Sequence, residues 1–419
     1  MNIILSIGHG RIHFMQSAFG LQQRGITIRL IMGWLPRRSE SLFLRCCSKI
    51  SGVDLSSEMR SRKIIDSNME IKQCACSEFL MNGLFMACRL FRCSKGWAMT
   101  WGWKLFGFCS RKYLKNADVF HVRSGAGQGG AIRCARKRGM KILVDHSIAH
   151  PVFMENKLRG EYEKHNVPFD MGISSSFWHL VLKDCLCADR VLVNSDFVRE
   201  TFVEAGFPKG KLNVVYLGTR PDFFGLRKAN NAIKIPRLLF TGSFGFRKGG
   251  EYILQALQIL KERGNSTMRL DVVGVYKNAA TLIKTYPSGS QSVTFHGQVP
   301  QDDLKRYLQN ADIYVFPSLA EGCACSGLEA MAAGLCVVAT RESGLPIKDG
   351  ETGYIVSPKN ALAIADKLEW LQANPTEINR VGANAARLIA TEYTWEKYAE
   401  KVERIYHELT RESHIPCER

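Results

Sequence analysis

Two glutamates, Glu321 and Glu329, stand eight residues apart in SLAEGCACSGLEAMAAGLCVVAT, on either side of a strand-to-helix turn. Upstream, TGSFGFRKGGEYILQAL passes from strand to helix through Gly242 and Gly245 and brings Arg247 and Lys248 to the helix start. Unbonded amides at a helix N-terminus attract phosphate, and two cations beside them would neutralise a diphosphate. The order of a Walker loop does not occur. Ser326-x-x-Glu329 also spells a capping box, in which Glu329 would only cap its own helix. Glu321, in a Gly-flanked turn, has no such local use. Two acids beside phosphate-binding amides suit hydroxyl recognition, one for a ribose and one for a sugar.

A second loop competes for a nucleotide. In RSGAGQGGAIRCARKRG, Gly125-x-Gly127-x-x-Gly130 matches the dinucleotide fingerprint, follows the strand Val119–Arg123 and opens a helix. Asp145 ends the next strand, 20 positions after Gly125. An NAD-dependent oxidoreductase is therefore the alternative reading. Against it, the motif lies deep in the first half of the chain, and any tight strand-to-helix turn uses glycine.

The elements that must position these groups alternate along most of the chain. Apolar runs predict strands at Asn2–Ile7, Ile26–Met32, Val119–Arg123, Lys141–Asp145, Arg190–Asn194 and Leu212–Tyr216. The polar stretch Arg220–Pro236, with two prolines, reads as a linker. The pattern then restarts at Arg237–Thr241 and runs through Lys248–Arg263, Met268–Val273, Ser292–His296, Asp302–Gln309, Asp312–Phe316, Ser326–Ala333 and Leu335–Thr340. Alternating strands and helices imply α/β halves with parallel sheets, which bind ligands at the carboxyl ends of their strands. The expected domains are residues 1–219, a linker at 220–236, and a second domain at 237–392. A terminal helical segment, 393–419, would pack on one of them, with Tyr398, Val402, Ile405, Tyr406 and Leu409 on one face.

Composition narrows the classes. The chain has 419 residues, 46% hydrophobic and 23% charged, with a net charge of +18. No apolar run is long enough to span a bilayer, and the opening segment reads as a strand rather than a signal peptide. Fourteen cysteines include no C-x-x-C, so reduced thiols in a cytosol are expected rather than disulfides or structural zinc. Residues 1–115 carry 18 basic and 6 acidic residues, a net of +12. Within them Trp97, Trp101 and Trp103 are interleaved with Arg89, Arg92 and Lys104. That pattern fits peripheral binding to an anionic membrane surface, or else a core helix pair whose basic stems reach outward. No recognised nucleic-acid module is present.

With Glu321 to Gly334 reading E-G-x-x-x-S-x-L-E-A-M-A-A-G, then CVVAT, the R-K-G after a strand, and DGETGYIV (Asp349 to Val356), the chain resembles retaining GT-B glycosyltransferases of family four. ADRVLVNSDFVRETFVEAGFPKGKLNVVYLGT (Ala188 to Thr219) extends the match, which covers roughly Asp118 onward. The resemblance implies two doubly wound Rossmann-like domains facing across a cleft. It implies that Lys248 and Arg247 hold the diphosphate of a nucleotide-sugar. Glu329 would bind the ribose and Glu321 the donor sugar, helped by Gly242, Ser243 and the amides of Ala324, Cys325, Ser326 and Gly327. His150, in preference to His146, would reach the sugar from the other domain. Gly8, Gly10, Gly125 and Gly127 would line the acceptor side. The implied acceptor is a polysaccharide or lipid-linked saccharide at the inner membrane face. With no D-x-D in the chain, no metal is expected and no other cofactor. Two departures from the family pattern keep a catalytically silent nucleotide-sugar-binding partner as a further alternative. Ser243 stands where an arginine is usual, and the acidic residue usual between Pro346 and Asp349 is missing.

Overall fold

Among the described residues, thirteen short strands, most of them largely buried, form two sheets in which every pairing is parallel. Strands buried on both faces read as continuous hydrophobic text, as NIILSIG and CVVA do here. The computed structural model describes residues 1–9, 13–35, 69–91, 95–169, 172–228, 233–276 and 279–411.

The first sheet has the order β3-β2-β1-β4-β5-β6-β7. It comprises β1 (Asn2–Gly8), β2 (Thr27–Met32), β3 (Glu70–Gln73), β4 (Val119–Arg123), β5 (Lys141–His146), β6 (Arg190–Val193) and β7 (Leu212–Val214). Its helices are α1 (Phe14–Gln23), α2 (Ala75–Phe91), α3 (Lys95–Ser110), α4 (Ala131–Lys137), α5 (Pro151–Glu163), α6 (Ser176–Leu186) and α7 (Asp196–Glu204). The second sheet, order β10-β9-β8-β11-β12-β13, comprises β8 (Arg237–Thr241), β9 (Arg269–Val273), β10 (Val293–Gly297), β11 (Ile313–Phe316), β12 (Cys336–Ala339) and β13 (Tyr354–Ile355). Around it lie α8 (Gly250–Glu262), α9 (Ala279–Thr285), α10 (Pro287–Ser290), α11 (Gln301–Asn310), α12 (Cys325–Ala333), α13 (Ala361–Ala373) and α14 (Pro375–Glu392). In both sheets the chain order reverses beside the first strand of the half, which opens a crevice at the carboxyl strand ends.

The chain crosses between the halves twice, side by side. Thr219 N–H donates to Tyr393 O at 2.8 Å, and Thr219 bridges Thr394 in parallel. Gly218 is required there, because a Cβ would lie 2.4 Å from the Trp395 nitrogen. After the first crossing the segment read as a linker is bound to the second half. Phe223 is buried, and Gly225 and Arg227 donate to the carbonyls of Ala332 and Ala333 in α12. After the second, α15 (Trp395–Arg411) lays Tyr398, Val402, Ile405, Tyr406 and Leu409 on the first half. It packs against α1, where Gly20 leaves room for Ala399. Tyr406 OH lies 2.7 Å from His121 Nδ1 at the middle of the first sheet.

The helix pair α2–α3 has two aromatic faces. Trp103 is buried against β1, and a Cβ on Gly8 would fall 2.3 Å from its ring. The expected membrane role for Trp103 is thus corrected, since it fills the core beside His9 and under Arg123. Trp97, Trp101, Lys104 and Phe108 instead form an exposed stripe at helical spacing on α3. The side chain of Arg89, and Arg92 as a whole, lie outside the described residues. Among the described residues no helix is long and apolar enough to cross a membrane.

Candidate functional site

The loop after β8 is built to bring backbone close to whatever lies above it. Gly242 (φ +117°) leaves a space whose Cβ position is 2.9 Å from Lys248 Nζ, so the ammonium folds back over the loop. Gly249, also left-handed, caps α8, and a Cβ there would meet Pro317 O at 2.0 Å. Arg247 and Lys248 therefore sit in the turn just before α8 rather than in its first turn. Ser243 is exposed.

Across from them, Glu321 Oε1 lies 2.7 Å from Arg247 Nη1 and 3.3 Å from Lys248 Nζ, an ion pair without hydrogen-bond alignment. Arg247 Nη1 donates to Ala320 O at 2.9 Å. Lys248 also stands over the Phe316 ring, at 5.0 Å. All three charged side chains are largely shielded from solvent, so an acid and two bases face one small volume.

Helix α12 begins at Cys325 with Ala324 as its N-cap, and no side chain caps it. Ser326 therefore lies inside the helix, and its hydroxyl accepts from Tyr314 OH at 2.8 Å. This removes the capping-box reading, because Glu329 has no hydrogen bond or ion pair among the described residues. Desolvation raises its carboxyl pKa to about 7, with Arg220 opposing and Asp222 adding to the rise. The Ala324 amide is engaged by Ser343 O and that of Gly327 by Ala324 O. The amides of Cys325 and Ser326 have no acceptor among the described residues, the arrangement that attracts anions at helix N-termini in general.

The first half closes on the Glu321 turn through backbone. Ala149 N–H donates to Glu321 O at 3.2 Å, and Ser195 Oγ donates to Gly322 O at 2.5 Å. Gly322 permits this, since a Cβ would stand 2.1 Å from Ser147 O. His150 follows directly at the start of α5. Its Nδ1 accepts from Val152 N–H, which leaves the proton on Nε2, and burial lowers its pKa to about 4. A neutral N–H donor is thus held one residue from the Glu321 contact. His146 is 1% exposed, packed on Phe202 and 3.0 Å from Ser124 Oγ, inside the domain rather than on an open cleft wall. A second clamp escaped sequence reasoning. Buried Glu251, in the first turn of α8, receives Lys164, His165 Nε2 (2.9 Å) and Tyr286 OH (2.6 Å), while Tyr252 OH donates to Glu161 of α5 at 2.7 Å. An acid directly after a helix-capping Gly-Gly is the only local signal for it.

The rival loop is already occupied. Gly125 and Gly127 both donate to Asp184 Oδ2, at 2.7 and 2.8 Å, and Gln128 donates to Asp184 Oδ1 at 2.5 Å. Gly129 lies against α3, where a Cβ would be 1.9 Å from Lys104 O. An internal carboxylate holds the position a pyrophosphate would need, which overturns the dinucleotide reading. Asp145, near the end of the next strand, is 2.9 Å from His13 Nε2 and buried. Gly125 and Gly127 are buried around Asp184, and Gly8 lies under Trp103, so none of the three lines an acceptor cleft. Gly10 lies outside the described residues. No group of three or more metal-ligating side chains occurs among the described residues.

Comparison with known proteins finds glycosyltransferase matches in both halves of the chain. Residues 235–374 match the family model described as glycosyl transferases group 1, and residues 88–223 match glycosyltransferase family 4. The amylovoran biosynthesis glycosyltransferase of Erwinia amylovora is 31% identical over 218 residues, covering 48% of this chain and 53% of its own. A D-inositol 3-phosphate glycosyltransferase of Corynebacterium diphtheriae is 33% identical over 178 residues, covering 40% and 42%. The chain spans about half the length of the curated relatives it matches. Sucrose-phosphate synthase from Thermosynechococcus elongatus has the same fold, with a TM-score of 0.69 at 18% identity over 98% of this chain and 99% of that one. Anabaena HepE, solved with UDP and glucose, gives 0.60 at 14% identity over 97% and 100%. With two Rossmann-like domains, matches in both halves and the acid pair beside an open helix terminus, the chain belongs to family 4 of the GT-B glycosyltransferases.

Proposed function

We propose that the protein transfers a sugar, with retention of anomeric configuration, from a nucleotide-sugar to a saccharide acceptor that is lipid-linked or part of a polysaccharide. The single observation that carries this is the cluster of Arg247, Lys248 and Glu321 beside the unbonded amides at the start of α12. A donor diphosphate competes with Glu321 for the two cations. Once displaced, Glu321 is a carboxylate next to the sugar, where it orients hydroxyls near the anomeric carbon. Glu329, which has no partner of its own, accepts the ribose hydroxyls, and His150 Nε2–H donates to the sugar from the opposite domain.

As the glycosidic bond breaks, the ring becomes oxocarbenium-like and negative charge builds on the leaving phosphate. Arg247, Lys248 and the α12 amides are placed in advance where that charge develops. The leaving phosphate oxygen then helps to deprotonate the acceptor. This chain supplies by side chain and dipole what a bound cation supplies elsewhere, so activity is expected to survive EDTA. In this reading the acceptor side docks on an anionic, cytoplasmic membrane face. The supporting feature is the exposed Trp97, Trp101 and Phe108 stripe with Lys104.

Thermal shift against UDP-, GDP- and ADP-sugars selects the donor, and turnover is then assayed on it. Glu321→Ala and Lys248→Ala should each lower kcat about 100-fold or more, as for removal of one preorganised stabilising group. Near-wild-type rates, or nucleotide binding without any transfer by the wild type, would defeat the proposal.

A further inference from the structure

A pair of thiols at one end of the α2–α3 hairpin takes no part in the chemistry above. Cys76, in the first turn of α2, and Cys109, in the last turn of α3, have their sulfurs 3.6 Å apart. Cys76 is exposed and Cys109 half-buried. Both line a surface cavity of about 520 Å³ together with Cys74, Cys134 and Lys112. The other two thiols are engaged differently. Cys74 is buried, and burial pushes its pKa up to about 12, while Cys134 points at Arg111 O at 3.9 Å.

We propose that Cys76 and Cys109 are a redox-modification site, forming a reversible disulfide when the protein meets a hydroperoxide. The exposed Cys76 sulfur, as thiolate, attacks the terminal peroxide oxygen. The O–O bond breaks, leaving Cys76 as a sulfenic acid and releasing hydroxide from hydrogen peroxide or alkoxide from an organic hydroperoxide, which takes up a proton as water or alcohol respectively. Cys109 sulfur then attacks Cys76 sulfur, the S–O bond breaks, and the departing hydroxide leaves as water with the Cys109 proton. Two thiols and one peroxide thus give one disulfide, one water and one further water or alcohol. Burial and the neighbouring Cys76 sulfur hold the Cys109 thiol at a raised pKa of about 11, which suits it to act second, after the sulfenic acid has formed beside it. Disulfides of this kind are transient in reducing compartments and are reversed by thiol exchange. The bond would tie the two ends of the hairpin that carries the Trp97–Phe108 stripe, so oxidation would rigidify the membrane-facing surface. The chemical step itself does not depend on the transferase reading.

The test treats the full chain with a small excess of hydrogen peroxide and maps its non-reduced peptides. A Cys76–Cys109 cross-link, loss of two titratable thiols and their return with dithiothreitol are expected. Cys76→Ser and Cys109→Ser should each abolish the cross-link, and Cys134→Ser should leave it intact. Hydrogen exchange in α3 should slow severalfold in the oxidised protein. A cross-link from Cys76 to Cys74 or Cys134, or over-oxidation of Cys76 with Cys109 left free, would overturn the proposal.

Discussion

Replacing Glu329 with glutamine should make the protein more stable and poorer at holding a nucleotide. Its carboxyl is raised from 4.5 to about 7 by desolvation, with no donor to offset the cost. A change of that size corresponds to about 3 kcal/mol. The sign follows from a raised folded-state value. Below pH 4.5 the folded and unfolded chains both hold the proton and nothing is lost. Between pH 4.5 and 7 the unfolded chain releases it first, and stability drains away as pH rises. The glutamine variant has no proton to lose, so the two proteins should converge near pH 4 and differ by ~3 kcal/mol at pH 8. Urea unfolding at both pH values measures this. Hydrogen bonds to a charged acceptor contribute about 1.5–3 kcal/mol each, so the variant should bind nucleoside diphosphate roughly 10- to 100-fold more weakly. Ribose hydroxyls also favour the ionised acid. Calorimetry of the wild type near pH 7, in buffers of different ionisation enthalpy, should therefore register proton release on binding. A variant less stable than wild type at pH 8, or one with unchanged affinity, would refute the reasoning.

Gly322→Ala should separate the domains, because its Cβ would meet Ser147 O at 2.1 Å and Asn194 Oδ1 at 2.7 Å. We expect a larger radius of gyration by X-ray scattering and at least tenfold lower turnover with the fold retained. Trp103→Ala should cost about 3–5 kcal/mol as a large core truncation. The exposed double variant Trp97→Ser/Trp101→Ser should unfold within about 1 kcal/mol of wild type, yet release the protein from anionic vesicles in a sedimentation assay.

The long apolar strands were legible because burial on both faces leaves no alternation to misread. β3 was not, since EIKQ is a polar edge strand only partly covered, and β13 is two residues long. The acid pair and the two cations could each be placed at the carboxyl end of a strand, β11 and β8, from local text alone. The tip of α12 could not, because the text Ser326-x-x-Glu329 spells a cap while the helix starts one residue earlier and the Ser326 hydroxyl is taken by Tyr314 on the strand beneath it. The same limit explains the Gly125 loop. Its amides are filled by Asp184, a residue far along the chain whose side chain no fingerprint includes. In α3 both faces carry tryptophan, so periodicity separates Trp103 from Trp97 and Trp101 but does not say which face turns inward. The answer came from Gly8, whose missing side chain is the space Trp103 occupies.

Because α15 returns to α1 and Tyr406 reaches His121 inside the first sheet, the first half is completed by a helix that follows the second half in the chain. During synthesis, α1 emerges long before α15, so its face lacks that partner until residues up to 411 have emerged. The half made second has all of its own strands and helices by then. Truncating α15 would therefore damage the domain that lies farthest from it in sequence, and a chain shortened before Trp395 should show its loss of protection in the first sheet rather than the second.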